Sequence, residues 1–385
     1  MIELPPSADV VVIGGGVMGA STAYHLAKHG GLSVVLLERE AFFGLGATGR
    51  CAGGIRYQFG TAINIRLSQL SLPMLDAFEE ETGQPALVRK CGYLFVLTRE
   101  ADLAEFQRNV ALQRSLGVNT EWLSGDEVRR LAAPCVFPDA LAGTFNPNDG
   151  LADPNSVVMG YINAARRLGA KCLTEVAVTG IQVESGRVES VLTKQGRIAT
   201  RTVVNCAGPW SATIGRMAGL EVPVTPLRRQ WLTTTALPGL PASFPFVIDF
   251  AQSLYFHREG EGVLTGMSNP DETPGEDQSV DPAWELTHME AATRRLPLLE
   301  TAGVVARWAG LYEVTPDAHP ILGATPVDGF YLLTGFSGHG FMHGPIGGKL
   351  LAEIITTGRA QTLDVSVLAL DRFARGQTTR EYHVV

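Results

Sequence analysis

The run VVVIGGGVMGASTAYHLAKHGGLSVVLLERE, residues 10–40, constrains the fold of this 385-residue chain more than any other segment. Val10, Val11, Val12 and Ile13 form an apolar run of the length of a buried parallel strand. Ala20, Ala23, Tyr24 and Ala27 then recur at three- and four-residue steps, as on a helix lying against a sheet. Gly30-Gly31 stops that helix, and Val34 to Leu37 reads as a second strand. The unit is βαβ, with Gly14, Gly16 and Gly19 forming GxGxxG in its first turn. Glycines at these positions could simply make a tight turn. Here they follow a strand and open a helix, whose positive end favours a pyrophosphate. Glu38, 19 residues beyond the third glycine, stands where a carboxylate accepts from ribose hydroxyls. The combination points to a dinucleotide site.

Three hundred and eighty-five residues exceed what one hydrophobic core usually organises, so two lobes or one large interleaved α/β unit are expected. With 45% hydrophobic and 18% charged residues, such a chain can bury a large core. A net charge of −8 argues against a nucleic-acid partner. Five cysteines without paired short spacing indicate neither a disulfide framework nor a zinc ribbon and fit a reducing cytoplasm. The N-terminus lacks a basic region ahead of an apolar run, and no stretch approaches the ~20 apolar residues of a membrane span, so neither a signal peptide nor an integral membrane protein is expected. Eight histidines without HxxH or HExxH spacing give no metal site, and the absence of GxSxG removes a serine hydrolase.

Further along, Ala62 to Glu81 carries helical periodicity, Cys91 to Thr98 reads as a strand and Ala101 to Leu116 as a helix. A turn-rich NPNDGLADPNSV precedes a helix ending near Gly169 and strands at Cys172 to Glu184 and Arg187 to Lys194. Val203 to Asn205 runs into CAGPWS and a helix toward Leu220, a second strand, glycine turn and helix. From Pro226 to Ala309, β-like runs and a helix at Pro282 to Leu296 surround the acidic loop NPDETPGEDQSVD, which is expected to be plain solvated surface. YLLTGFSGHGFMHGPIGGKLLAEIITTG adds a third strand, glycine turn and helix, with Pro345 near the helix start.

NAD and FAD share the fingerprint, and the segment just after Glu38 decides between them. The glycine-dense GLGATGRCAGGIR lets backbone approach the ribityl and ring portions of a long flavin dinucleotide. With GGGVMGASTAYHLA and Glu38, GATGRCAGGIR, VVNCAGPWS, and WAGLYEVTPDAHPILG followed by GFSGHGFMHGP, the chain resembles the D-amino-acid oxidase-like superfamily of FAD-dependent amine oxidoreductases. Within it, the resemblance is to sarcosine oxidase β subunits, proline dehydrogenase β subunits and glycine oxidase.

The resemblance implies an α/β (α+β) fold like that of p-hydroxybenzoate hydroxylase: a Rossmann-like FAD-binding domain with an inserted mixed or antiparallel-sheet substrate domain. The expected ranges are 1–85, 148–225 and 316–385 for the first and 86–147 and 226–315 for the second. FAD would be held by the turn with Gly14, Gly16, Val17, Met18 and Gly19, by Glu38 and Arg39, and by Ala47, Thr48, Arg50, Cys51, Ala52 and Gly53. Further contacts would come from backbone at Val176, from Cys206, Ala207, Gly208 and Trp210, from Gly310, and from Gly338, His339, Gly340, Phe341 and Met342. Val176 equally suits a core strand, and His339 is a flavin contact or a turn residue, its backbone being the favoured part. Charge gathering near flavin N1 on reduction would meet the positive end of the helix near Pro345.

On the substrate side, relatives with the R…IR pattern bind the substrate carboxylate with the second arginine, here Arg56, and keep the first, here Arg50, near the flavin. An ion pair between lobes is the alternative for both. Tyr312 matches a family active-site tyrosine, and Tyr255 is a weaker candidate that also suits a core. Met342 stands where sarcosine oxidases carry a carboxylate-gripping lysine, so that clamp is incomplete. Gly310 and Arg50 occupy the positions of covalent flavin attachment in some relatives, which implies non-covalent FAD. The implied function is oxidation of a secondary or primary amine or amino acid to an imine by hydride transfer to flavin N5. Oxygen, a quinone or a partner subunit would take the electrons, and a hetero-oligomer fits this branch. The alternatives are a nicotinamide-dependent dehydrogenase and a flavin-bearing electron-relay or assembly subunit without its own amine.

Overall fold

The computed structural model describes residues 3–383; the outermost positions of the expected domain ranges, 1–2 and 384–385, lie outside the described residues. A six-stranded sheet runs in the order Ile321–Ala324, Phe330–Thr334, Thr202–Asn205, Val10–Ile13, Val34–Leu37, Lys171–Leu173. All neighbours are parallel except the first pair. The four residues of Val10–Ile13 are apolar because both faces are covered. Val10 and Val12 pack with helices Val17–His29, Pro154–Arg167 and Gly340–Thr357, whereas Val11 and Ile13 pack with the three-stranded sheet of residues 178–199. Each such fully buried side chain contributes about 1.5–3 kcal/mol relative to exposure. Helix Pro154–Arg167 starts where Asp153 accepts from the Ser156 amide at 2.7 Å and Pro154 supplies a preset φ.

The second large sheet has eight strands, in the order Val304–Val314, Thr225–Thr234, Gly262–Met267, Leu254–Glu259, Phe246–Asp249, Tyr93–Leu97, Ala142–Asn146, Glu121–Ser124. Neighbours are antiparallel except Phe246–Asp249 beside Tyr93–Leu97, so the sheet is mixed. One face is covered by helix Pro282–Arg295 through Ala291 and Ala292. The other carries Tyr93, Trp231, Phe246 and Tyr255. The Rossmann-like layer and the mixed second sheet expected from the sequence are both present.

Two local expectations change. The helical stretch Ala62 to Glu81 is two helices, Ala62–Asp76 and Phe78–Thr82, separated at Ala77, with Pro73, which lacks an N–H, in the last turn of the first. The acidic loop is not free surface. Arg228 reaches it from the neighbouring strand, with Nε 2.9 Å from Glu272 and Nη1 2.8 Å from Asp277, because two carboxylates converge on one half-shielded cation. Among the described residues, no helix is long and apolar enough to cross a membrane.

Candidate active site

A cleft of about 580 Å³ opens at the C-terminal ends of strands Val10–Ile13, Val34–Leu37 and Thr202–Asn205. This is the position at which open parallel sheets bind ligands, and the volume lies in the ~300–1,000 Å³ range of small-molecule sites. Gly14 turns there with φ +108°, and a side chain on it would sit 2.4 Å from the Cys206 carbonyl oxygen, so the two strand ends converge only around glycine. Glu38 fixes the turn: Oε2 accepts from the Gly15 amide at 2.7 Å and Oε1 from the Glu40 amide at 2.8 Å. The Thr48 hydroxyl accepts from the Val17 amide at 3.1 Å, tying the glycine-dense segment to the helix start.

Gly14, Gly16, Val17, Met18, Glu38 and Arg39 all line the cleft. So do Ala47, Thr48, Arg50 and Cys51 from the second segment. Cys206, Ala207, Gly208 and Trp210 form the facing wall, and Gly338, Gly340 and Phe341 close the end nearest the second sheet. Val176 lines the cleft while its side chain packs in the core. Gly19 packs beneath Gly14, and Gly310 lies between Arg50 and Trp231. The Arg39 guanidinium stacks 3.8 Å from the centre of the Trp210 ring, and the Trp210 indole N–H donates to Glu276 of the acidic loop at 2.7 Å. That loop thereby reaches the cleft, where Gln278 joins the lining.

A smaller cavity of about 90 Å³ adjoins the cleft, sharing Cys51, Trp231, Tyr312, Gly338 and Phe341 with it. Ala52, Gly53, His339 and Met342 line this smaller space. Its aromatic wall comes from the second sheet, with Tyr93 stacked on Phe246 at 4.1 Å between ring centres and Tyr255 beyond at 5.6 Å from Phe246. Burial raises the phenols of Tyr93, Tyr255 and Tyr312, so all three stay protonated, and it pushes the Cys51 thiol up to about 12. The His339 and His343 rings face each other with Nδ1 atoms 3.2 Å apart, and His339 Nε2 lies 3.1 Å from the Ala318 carbonyl. Burial lowers both histidines, leaving neutral rings in which one Nδ1 donates to the other.

Neither expected arginine forms an ion pair among the described residues. Arg50 donates to the Ala309 carbonyl at 2.7 Å and the Leu45 carbonyl at 3.2 Å. Arg56, buried at the edge of the smaller cavity, donates Nη1 to the Gln58 carbonyl and Nη2 to the His383 carbonyl, with its guanidinium 3.9 Å over Phe59. Its second partner belongs to a C-terminal segment docked through Glu381. That carboxylate accepts from the amides of Gly60 at 2.8 Å and Thr61 at 3.1 Å, from the Thr61 hydroxyl at 2.7 Å and from Asn64 at 3.1 Å.

Three features escape the sequence reading: this segment, Glu313 and Arg229. Glu313 lines the cleft, accepts from the Thr334 hydroxyl at 2.9 Å, and is raised by burial. Its signal was an acid inside the apolar strand WAGLYEV. Arg229 lies on the same strand as Trp231, two residues away, and its signal was the pair of adjacent arginines in PLRRQW. Strand alternation sends one of that pair to each face.

Residues 9–354 match the family described as FAD dependent oxidoreductase, DAO. Mouse mitochondrial sarcosine dehydrogenase is 34% identical over 375 residues, which cover 93% of this chain and 40% of that protein. The chain thus spans less than half the length of that curated relative. Among solved structures, L-proline dehydrogenase from P. horikoshii superimposes with a TM-score of 0.90 at 32% identity, over 98% of this chain and 100% of that one. Glycine oxidase from Geobacillus kaustophilus shares the fold, with a TM-score of 0.85 at 24% identity over 96% and 99% of the two chains. The residues present fit FAD. The glycine turn leaves room for a pyrophosphate, the Glu38 carboxylate lines the cleft beside that turn, and the cleft continues past Cys51 and Gly338 to the smaller cavity, where a ring system would end. Sequence, fold and cleft agree, and the chain belongs to the DAO family of FAD-dependent oxidoreductases, with FAD as its cofactor.

Proposed function

We propose that this chain oxidises a small secondary or primary amino acid, sarcosine-, proline- or glycine-like, at the carbon beside its nitrogen. The observation that carries the reading is the small cavity, which meets the dinucleotide cleft at Tyr312, Trp231 and Gly338 and has the Arg56 guanidinium beside aromatic walls. Bound in the cleft, FAD supplies a two-electron acceptor for hydride leaving the α-carbon. The chain itself binds and orients. Tyr93, Phe246 and Tyr255 exclude water from one side, which disfavours a charged ammonium and so helps hold the amine neutral. Arg56 supplies positive field for the substrate carboxylate, and the neutral hydroxyls of Tyr255 and Tyr312 offer hydrogen bonds to it. Met342 contributes apolar contact only. Holding the α-carbon against the acceptor contributes to the rate through proximity and orientation.

In this reading the eight-stranded sheet belongs to the substrate domain, residues 86–147 and 226–315, and the remainder binds FAD. Five free thiols suit a cytoplasmic, reducing compartment. The test is anaerobic mixing of the yellow holoprotein with sarcosine, L-proline and glycine. Bleaching by one or more is expected. No bleaching by any of them would favour the electron-relay or assembly role instead.

A further inference from the structure

Among the described residues Arg229 is a half-buried cation without a countercharge. Its Nε is shielded from solvent and has no hydrogen-bond partner among the described residues, and Nη1 donates to the carbonyl of its own neighbour, Arg228, at 2.9 Å. No described carboxylate forms an ion pair with it, whereas Arg228, one residue earlier, has Glu272 and Asp277. A cation taken out of water and left unpaired is costly, and it persists where an anion completes the site. Burial lowers its pKa, against the opposing pull of Tyr312, Tyr255 and Glu272.

The strand register explains the direction of the side chain. Arg229 shares a sheet face with Trp231, which lines both cavities, and pairs with Gly310 on the neighbouring strand. Without a side chain there, Arg50 and Trp231 close over Gly310. Tyr312, diagonally adjacent, is within reach of a long side chain, and the guanidinium carbon lies 5.1 Å from the centre of its ring. The Nε–Nη2 edge of Arg229 is the edge suited to a two-point carboxylate contact. Arg56 differs: both of its terminal nitrogens already donate to carbonyl groups.

We propose that Arg229 directly grips the substrate carboxylate beside Tyr312, while Arg56 is a positioning residue that ties the C-terminal segment to the cavity. The proposal rests on the amino-acid reading above and moves its anchor from the glycine-dense segment to the substrate sheet.

The experiment uses the holoprotein and its Arg229→Leu, Arg229→Lys and Arg56→Gln variants. The first readout is binding of pyrrole-2-carboxylate, an unreactive carboxylate, followed by protein tryptophan fluorescence, to which Trp231 contributes, and by the flavin spectrum. Arg229→Leu should raise Kd by about ten- to a hundredfold, the loss of one charge-assisted contact, and Arg229→Lys should recover part of it. The melting temperature of Arg229→Leu should hold or rise, since a half-buried charge that no described carboxylate pairs is removed. Flavin reduction by L-proline should fall while reduction by pyrrolidine, which lacks the carboxylate, should not. Arg56→Gln should instead speed amide exchange at residues 380–383 and lower the melting temperature. Unchanged ligand affinity in Arg229→Leu, or equal loss with L-proline and pyrrolidine, overturns the proposal. Should no amine reduce the wild-type flavin, the functional reading fails, and pyrrole-2-carboxylate binding still decides the role of Arg229.

Discussion

A side chain on Gly338 would place its first carbon 2.3 Å from the Tyr312 ring, so the turn before helix Gly340–Thr357 rests directly on the strand Val304–Val314 where the two cavities meet. Gly338 also has φ +99°, which side-chain-bearing residues rarely adopt. Gly338→Ala therefore faces both strain and a clash that Tyr312 must relieve by moving. A stability loss of about 1–3 kcal/mol is expected, read as a lower melting temperature, together with faster FAD release. A variant that melts and holds FAD like the wild type would show that this contact is not made in solution.

Glu38 accepts from the Gly15 amide of the glycine turn and from the Glu40 amide, and its carboxylate lines the cleft where a ribose would lie. Removing it by Glu38→Ala loses contacts to a charged acceptor, each worth about 1.5–3 kcal/mol. FAD affinity should drop at least tenfold, measured by the fluorescence of cofactor released on dilution, while the circular dichroism of the apoprotein stays unchanged. Wild-type affinity would mean that the carboxylate holds the loop alone.

Gly310 has no side chain, and Arg50 directs its guanidinium to the Ala309 and Leu45 carbonyls. Neither offers a nucleophile to a flavin ring. Acid precipitation should leave all the FAD in the supernatant. Yellow colour remaining with the denatured polypeptide would reveal an attachment through another residue.

Glu381 is the pH-sensitive tie of the C-terminal segment. Burial alone would raise its carboxyl, but the His383 ring, the Thr61 hydroxyl and the amides of His383 and Gly60 outweigh that and hold it down to about 2, against 4.5 for an ordinary glutamate. A carboxyl lowered by folding contributes stability that is complete above its unfolded value and lost as pH falls through the folded one. The melting temperature of the wild type should therefore fall between pH 4.5 and 2 more steeply than that of Glu381→Gln. The gap between the two proteins should be widest near neutrality and close toward pH 2. Parallel acid limbs would show that the segment is not docked through this carboxylate.

What could be read from the sequence was local. The strand Val10–Ile13, the glycine turn and helix Val17–His29 follow from patterns a few residues long, and helix Pro282–Arg295 ends within one residue of its expected bound. The βαβ unit marked only its own turn and Glu38 as candidate phosphate and ribose contacts, and the other cleft segments were legible through the family resemblance. The substrate side was less legible. Phe246–Asp249 pairs with Tyr93–Leu97 across a long stretch of chain, and no periodicity announces such a partner.

The same limit applies to the charges. Sequence alone determined that two arginines adjoin in PLRRQW, and alternation alone that they face opposite ways. Only the tertiary structure decided that Arg228 meets Glu272 and Asp277 from the acidic loop while Arg229 lies half-buried beside Tyr312, paired with no described carboxylate. It likewise brought His383 to Arg56. Whether a charge is paired depends on what folding carries to it from distant segments, and burial sets the cost of leaving it unpaired.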